Sequence, residues 1–144
     1  MALIIRGPRN KKELEQCFDL RYRILRKPWN QPRGSERDGL EDVSFHIAAF
    51  DRGKVVGVAR LHRMTPNTAR VRQVAIEESC RKMGIGAALM KSIESKAAEW
   101  GCRRITANAR DEAVAFYEKL GYKKLREVEK LFGIIRHFRM EKRL

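Results

Sequence analysis

A strand, a glycine turn and a helix succeed one another in residues 71–100, and that succession constrains the fold more than any other part of the chain. Residues 71–76 read as a strand. Ile85, Leu89, Ile93, Ala97 and Trp100 then recur at helical spacing, with Gly101 placed to stop the helix. Between the two lies Arg81-Lys82-Met83-Gly84-Ile85-Gly86. Its two glycines allow a tight turn and close backbone approach to a ligand. The helix that follows presents unpaired N–H groups and the positive end of its dipole. This loop is a cradle for an anion, and a phosphate would fit it.

Other phosphate loops fit less well. A dinucleotide site of the Gly-x-Gly-x-x-Gly kind would place a third glycine where Leu89 stands, and its distal acidic residue would fall near Arg103-Arg104-Ile105-Thr106. A Gly-Lys-Ser/Thr loop is absent. The spacing Arg-x-x-Gly-x-Gly resembles instead the acyl-CoA pyrophosphate loop of the GNAT superfamily of N-acetyltransferases. Two further segments carry the same resemblance in the same order: Val74-Ala75-Ile76 before the loop, and Phe116-Tyr117-Glu118-Lys119-Leu120-Gly121-Tyr122 after it. The likeness covers most of the chain, and residues 20–36 and 133–142 are similar to the ElaA-like subgroup.

The order of elements is compatible with that fold. Residues 3–5 read as a short strand, and a helix from about Asn10 carries Leu14, Cys17, Phe18, Tyr22 and Leu25 on one face and stops at Pro28. Residues 28–40, with two prolines and two glycines, form a loop of the length that often carries function. Strands over 45–50 and 54–64 make a hairpin around Asp51-Arg52-Gly53, and Pro66-Asn67 turns the chain into a third strand, 69–76. After the central helix come a short strand over 104–107, a helix capped by Asp111 and ended by Gly121, and a closing strand pair over 122–126 and 134–141. The expected fold class is α+β: a mixed, mostly antiparallel central sheet flanked by helices, in one domain spanning 1–144.

Composition narrows the setting. No stretch is long and apolar enough to cross a membrane, and the N-terminus lacks the pattern of a signal peptide, so a cytoplasmic location is expected. Three widely spaced cysteines suggest a reducing compartment, and no ligand cluster suggests a metal. Cys80 reads as an ordinary thiol. Lys and Arg total 32 against 18 Asp and Glu, a net charge of +14. Such an excess attracts polyanions, CoA among them, and admits nonspecific, salt-sensitive association with nucleic acid. Most of the basic clusters, such as Arg21-Arg23-Arg26-Lys27, are expected to coat solvated faces. A homodimer is admitted as the commonest assembly.

The resemblance implies acetyl transfer from acetyl-CoA to a primary amine by direct attack. Backbone N–H groups of Arg81, Lys82, Met83, Gly84, Ile85 and Gly86 would hold the pyrophosphate. Val74, Ala75 and Ile76 would pair with the pantetheine amides, one N–H polarising the thioester carbonyl. Tyr117 resembles the family tyrosine that protonates the departing thiolate; read from pattern alone, it is equally an aromatic on a core stripe. Asn108 stands where the family places an amide that bonds the cofactor, or is a turn residue. The general base stays open among Glu77, His46, Glu41 and His137, with Glu77 and His137 best placed. Loop 28–40 should help build the acceptor site, with Trp29 as an apolar wall. Its neighbours Glu36, Asp38, Glu41 and Asp42 suit a cationic amine or merely balance nearby arginines. The rival readings are a basic nucleic-acid-binding module and a non-catalytic CoA-binding domain on the same fold.

Overall fold

Asn10 starts the first helix as expected: its side chain accepts a hydrogen bond from the Glu13 N–H at 2.9 Å, satisfying one orphan donor of the first turn. The computed structural model describes residues 2–144. Strand β1 (Leu3–Arg6) precedes helix α1 (Lys11–Arg21), which does not run on as a regular helix to Pro28. It loosens into a π-helical turn over Tyr22–Arg26 and then tightens into a 3-10 turn over Lys27–Trp29, ending at Asn30 with φ 58°. A change of pitch of this kind leaves no mark in the hydrophobic period, because the apolar face is kept while the carbonyls are re-aimed.

Strands β2 (Phe45–Asp51), β3 (Lys54–Thr65) and β4 (Thr68–Ile76) form the antiparallel meander read from the turn residues. Helix α2 (Ile85–Glu99), strand β5 (Arg104–Arg110), the short helix α3 (Val114–Lys119) and the hairpin β6 (Lys123–Leu131) and β7 (Ile135–Arg143) complete the chain. Asp111 does not cap α3. It opens a 3-10 turn over Asp111–Ala113, and α3 begins after Ala113 without a side-chain cap.

The seven strands lie in the order β1-β2-β3-β4-β5-β7-β6, antiparallel throughout except between β4 and β5. The mixed α+β sheet expected from the sequence is thus present. α2 and α3 cover one face, burying Leu89, Met90, Ile93, Ile105, Met140 and their neighbours, and α1 covers the other over Ala48, Phe50, Val58 and Ala75. Two irregularities of the sheet make the site. β4 and β5 pair only from Thr68–Arg104 to Val71–Ala107, after which the paired register ends while both strands run on. In the same stretch β4 carries a bulge: between the pairs Arg60–Arg72 and Val58–Ala75, β3 contributes Ala59 alone and β4 both Gln73 and Val74, with Gln73 at φ 59°.

Candidate active site

Where β4 and β5 part, a cleft of about 220 Å³ opens. Its walls are Val71, Arg72, Gln73 and Val74 from β4 and Asn108, Ala109 and Arg110 from β5. The π turn supplies Ile24, Leu25 and Arg26, and Tyr117, Leu131 and His137 close it from α3 and the last hairpin. A second cavity of about 450 Å³ lies beside it under the N-terminus of α2, lined by Ile76, Arg81, Lys82, Gly84, Ile85 and Gly86 on one side and Phe116 and Leu120 on the other. Glu112 and Ala113 border both, so one trough runs from the glycine loop to the parted strands.

The glycine loop leaves the first turn of α2 without a side-chain cap. Gly84 caps α2 at φ 79°, in the left-handed region that a side chain disfavours, and no side chain bonds the first turn. The leading N–H groups of α2 therefore have no partner inside the helix and face outward with its dipole. Gly86 has a different reason from close approach to a ligand. A Cβ there would meet Phe116 Cε1 at 2.9 Å and Cζ at 3.0 Å, so its missing side chain lets the α2 N-terminus close against α3. Met83 is 58% exposed and does not line the cavity.

Phe116 and Tyr117 wall different parts of the trough. Phe116 is half-buried and walls the cavity below the loop, whereas Tyr117 is 6% exposed and belongs to the main core as well as to the cleft. Its ring is fixed edge-on between Phe116 and Tyr122, at centroid distances of 5.1 and 5.4 Å. Burial pushes the phenol well above its ordinary value, so it stays protonated at neutral pH. Val74 lines the cleft and Ile76 the second cavity, while Ala75 between them turns its methyl into the α1-side core. Asn108 borders the cleft with its Oδ1 accepting from Arg139 Nε at 2.6 Å.

The four carboxylate and histidine candidates separate clearly. Glu77 is outside the cleft wall, held by both guanidinium nitrogens of Arg23 at 3.0 and 2.9 Å, which keeps its carboxyl below the usual range. Glu41 lies between the guanidiniums of Arg21 and Arg60, at 2.9 and 2.7 Å. His46 accepts at Nδ1 from Arg21 and donates from Nε2 to the Glu41 carbonyl, at 3.2 and 2.8 Å. His137 alone of the four lines the cleft. Burial, then the charges of Arg110, Arg72 and Arg26, depress its pKa, so it is a neutral proton acceptor at pH 7.

The carboxylates near loop 28–40 balance arginines, the second of the two readings left open for them. The acidic residues near loop 28–40 do not form a free patch for a cation. Glu36 is buried against the Gly34 N–H, Asp38 takes both outer nitrogens of Arg60 at 2.9 and 3.0 Å and also bridges Arg72, and Glu41 is used as above. The basic clusters at 81–82, 103–104 and 123–126 are exposed as expected, but Arg21 and Arg26 of the first cluster, and Arg60, are 1%, 8% and 0% exposed. Only Arg60 carried a sequence signal, as a charge within the apolar run Val55–Leu61 of a central strand. Trp29 borders a neighbouring depression with Ile134 and Arg136, not the cleft.

A parted parallel pair beside a β4 bulge, with a glycine-capped helix bordering the same trough, is what the resemblance to acyl-CoA-dependent acyltransferases leads one to expect. Comparison with known proteins agrees. The acetyltransferase (GNAT) family matches over residues 14–122. An uncharacterized N-acetyltransferase of Bacillus subtilis, YjcF, is 36% identical over 134 residues, covering 93% of this chain and 95% of its own. Among solved structures, Escherichia coli ElaA superposes with a TM-score of 0.81 at 20% identity, over 97% of both chains. An aminoglycoside 6'-N-acetyltransferase complexed with coenzyme A gives 0.79 at 22% identity, over 99% of this chain and 97% of that one. The chain belongs to the GNAT family of acetyltransferases, and it is an acyl-CoA-dependent enzyme.

Proposed function

We propose that the protein moves an acetyl group from acetyl-CoA to a primary amine by direct attack within the cleft where β4 and β5 part. The observation that carries this reading is the continuity of the trough: the cradle at Gly84 and the protonated Tyr117 border one passage, with Glu112 and Ala113 shared by both halves.

The backbone of Arg81, Lys82, Met83, Gly84, Ile85 and Gly86 supplies N–H donors for the pyrophosphate. Val74, Ala75 and Ile76 supply strand-like partners for the pantetheine amides. The bulge takes Gln73 and Val74 out of the β3 register, and the thioester oxygen is assigned to the main-chain N–H of Val74. As the amine nitrogen bonds to the carbonyl carbon and the C–S bond breaks, the amine must lose one proton and the thiolate must gain one. His137, neutral and within the cleft, accepts the proton lost by the amine; Tyr117 donates its own to the leaving thiolate and is reprotonated from solvent. Asn108, oriented by Arg139, offers its amide N–H₂ to the donor arm. The aminoglycoside of the solved relative is a polycation, and the arginines of this cleft speak against carrying that substrate over.

Calorimetric titration with acetyl-CoA, followed by thiol release with a panel of primary amines, tests the reading. Tyr117→Phe should keep its affinity for acetyl-CoA and lose about 10²–10⁴ in turnover, the usual worth of a positioned general acid. Unchanged turnover would remove Tyr117 from the mechanism. Absence of acetyl-CoA binding by the unaltered protein would refute the reading as a whole.

A further inference from the structure

The donor does not account for the charge of the cleft. Its pyrophosphate belongs at the glycine loop, and the pantetheine arm that reaches the parted strands is neutral. The cleft is nonetheless lined by Arg26, Arg72 and Arg110 beside His137, with Glu112 as its one acidic lining residue. Arg26 is 8% exposed, yet its hydrogen bonds go to main-chain carbonyls: Nε to Ser35 at 3.1 Å and Nη1 to Leu25 at 3.3 Å. Arg110 Nη2 donates to that same Leu25 carbonyl at 2.8 Å. Two guanidiniums thus converge on one carbonyl, which the change of helical pitch at the π turn leaves free to receive them. Phe132 covers Arg26 at 5.6 Å from its ring centroid, and the outer Nη2 remains for the cleft. Arg72, its side chain 42% exposed, makes a long bridge to Asp38 at 3.5 Å. Glu36, the other carboxylate near Arg26, is engaged by the Gly34 N–H and Arg37.

Burying a cation such as Arg26 without a carboxylate partner is costly, and the half-buried Arg110 beside it adds to the cost. The contrast with Arg60 on the same sheet, matched by Asp38 and Glu41, shows that this chain can supply carboxylates where charge is only structural. We propose that Arg26, Arg72 and Arg110 form an oxyanion-recognition site for the acceptor, so that the amine acetylated by this protein also carries a carboxylate or phosphate group. Guanidinium forks suit either anion, binding it through paired N–H donors. The same positive field disfavours an ammonium, so an acceptor anchored by its anion presents its amine in the neutral, nucleophilic form. The proposal rests on the acetyl-transfer reading and deepens it by naming the acceptor class.

The test titrates the protein, saturated with CoA so that the glycine loop is filled, with inorganic phosphate and with malonate by calorimetry. Arg110→Gln, a partly exposed position, is titrated alongside, with its thermal melt and CoA affinity as controls. At least one anion should bind saturably, and the substitution should weaken it about tenfold or more, the scale of a lost charge-assisted hydrogen bond, with CoA affinity unchanged. The tighter probe distinguishes phosphate from carboxylate. No saturable anion binding in a protein that takes CoA, or binding indifferent to Arg110→Gln, would overturn the anion site alone. Binding of a single-stranded oligonucleotide with neither small anion would do the same. Failure to take CoA would overturn the transfer reading and, with it, the assignment of the anion to an acceptor.

Discussion

Glu41→Gln should be among the most destabilising single substitutions available in this chain, although Glu41 lies in a region read from sequence as part of an acceptor loop. The carboxylate is 12% exposed and stands between two guanidiniums whose side chains are 1% and 0% exposed, at 2.9 and 2.7 Å. The amide keeps one acceptor and loses the charge. Arg60 retains Asp38, but Arg21 is left with the His46 Nδ1 alone, and the Nε atoms of both arginines already lack partners. Breaking a buried pair in this way costs about 3–5 kcal/mol. At a urea slope of about 2 kcal/mol/M, the unfolding midpoint should fall by about 1.5–2.5 M with the slope unchanged. A double-mutant cycle sharpens the test: in an Arg60→Met background the same substitution should cost measurably less, because one of the stranded charges is gone. A loss under about 1 kcal/mol, the range of exposed ion pairs, together with a coupling near zero, would refute the assignment of Glu41 to a buried structural network.

Gly86→Ala should destabilise the protein by about 1–3 kcal/mol, an overpacking cost, because its Cβ meets the Phe116 ring at 2.9 Å; Phe116→Leu should restore the loss, and an unaltered melt would dismiss the steric argument. The acidic limb of the kcat/KM profile should lie below the ordinary histidine value of about 6.5, since burial and the charges of Arg110, Arg72 and Arg26 hold His137 neutral. Arg110→Gln should move that limb to higher pH, and a stationary limb would detach it from His137. The folded-state pKa of His46 is likewise depressed, chiefly by burial, so its contribution to stability is complete above about 6.5 and is lost as pH falls toward the folded value. Urea unfolding between pH 7.5 and 5.5 should therefore show a decline that His46→Gln reduces, and equal declines in both proteins would rule out His46 as its source.

How much of this could be read beforehand depends on the range over which each feature is specified. The meander, the α2 stripe and the stops at Gly101 and Gly121 follow from local period and turn chemistry, and both glycines do sit at positive φ. The cradle was legible for the same reason, being a contiguous loop of six residues. The parting of β4 from β5 was not, because it depends on a bulge at Gln73, whose sequence surroundings are those of an ordinary strand. The π turn was hidden by a hydrophobic face that keeps its spacing while the pitch changes. Sequence position puts Glu77 beside His137 as best placed to be the base, but Glu77 is held outside the cleft, because Arg23, which engages it, comes from another element, as do Arg21 and Arg60, which engage Glu41. His137 becomes distinct only when β7 inserts between β5 and β6 and sets it opposite Arg110.

The net charge of +14 acquires a structure once the arginines are sorted by what they touch. Arg21 and Arg60 are sealed under α1 with Glu41 and Asp38, and there the charge fixes loop 28–40 to the sheet. Arg26 closes the π turn that follows Arg21 and is met by carbonyls in place of carboxylates. A regular helix continued through Tyr22–Arg26 would aim the Leu25 carbonyl along the axis toward the following turn. The widened turn and its 3-10 ending release it to Arg26 and Arg110. One irregularity therefore separates structural cations from cations available to a ligand, and it does so at the edge of the space that the β4 bulge opens. The coincidence of the π turn and the β4 bulge at one cleft is the strongest physical argument that the charge left without a carboxylate there serves the substrate and not the fold.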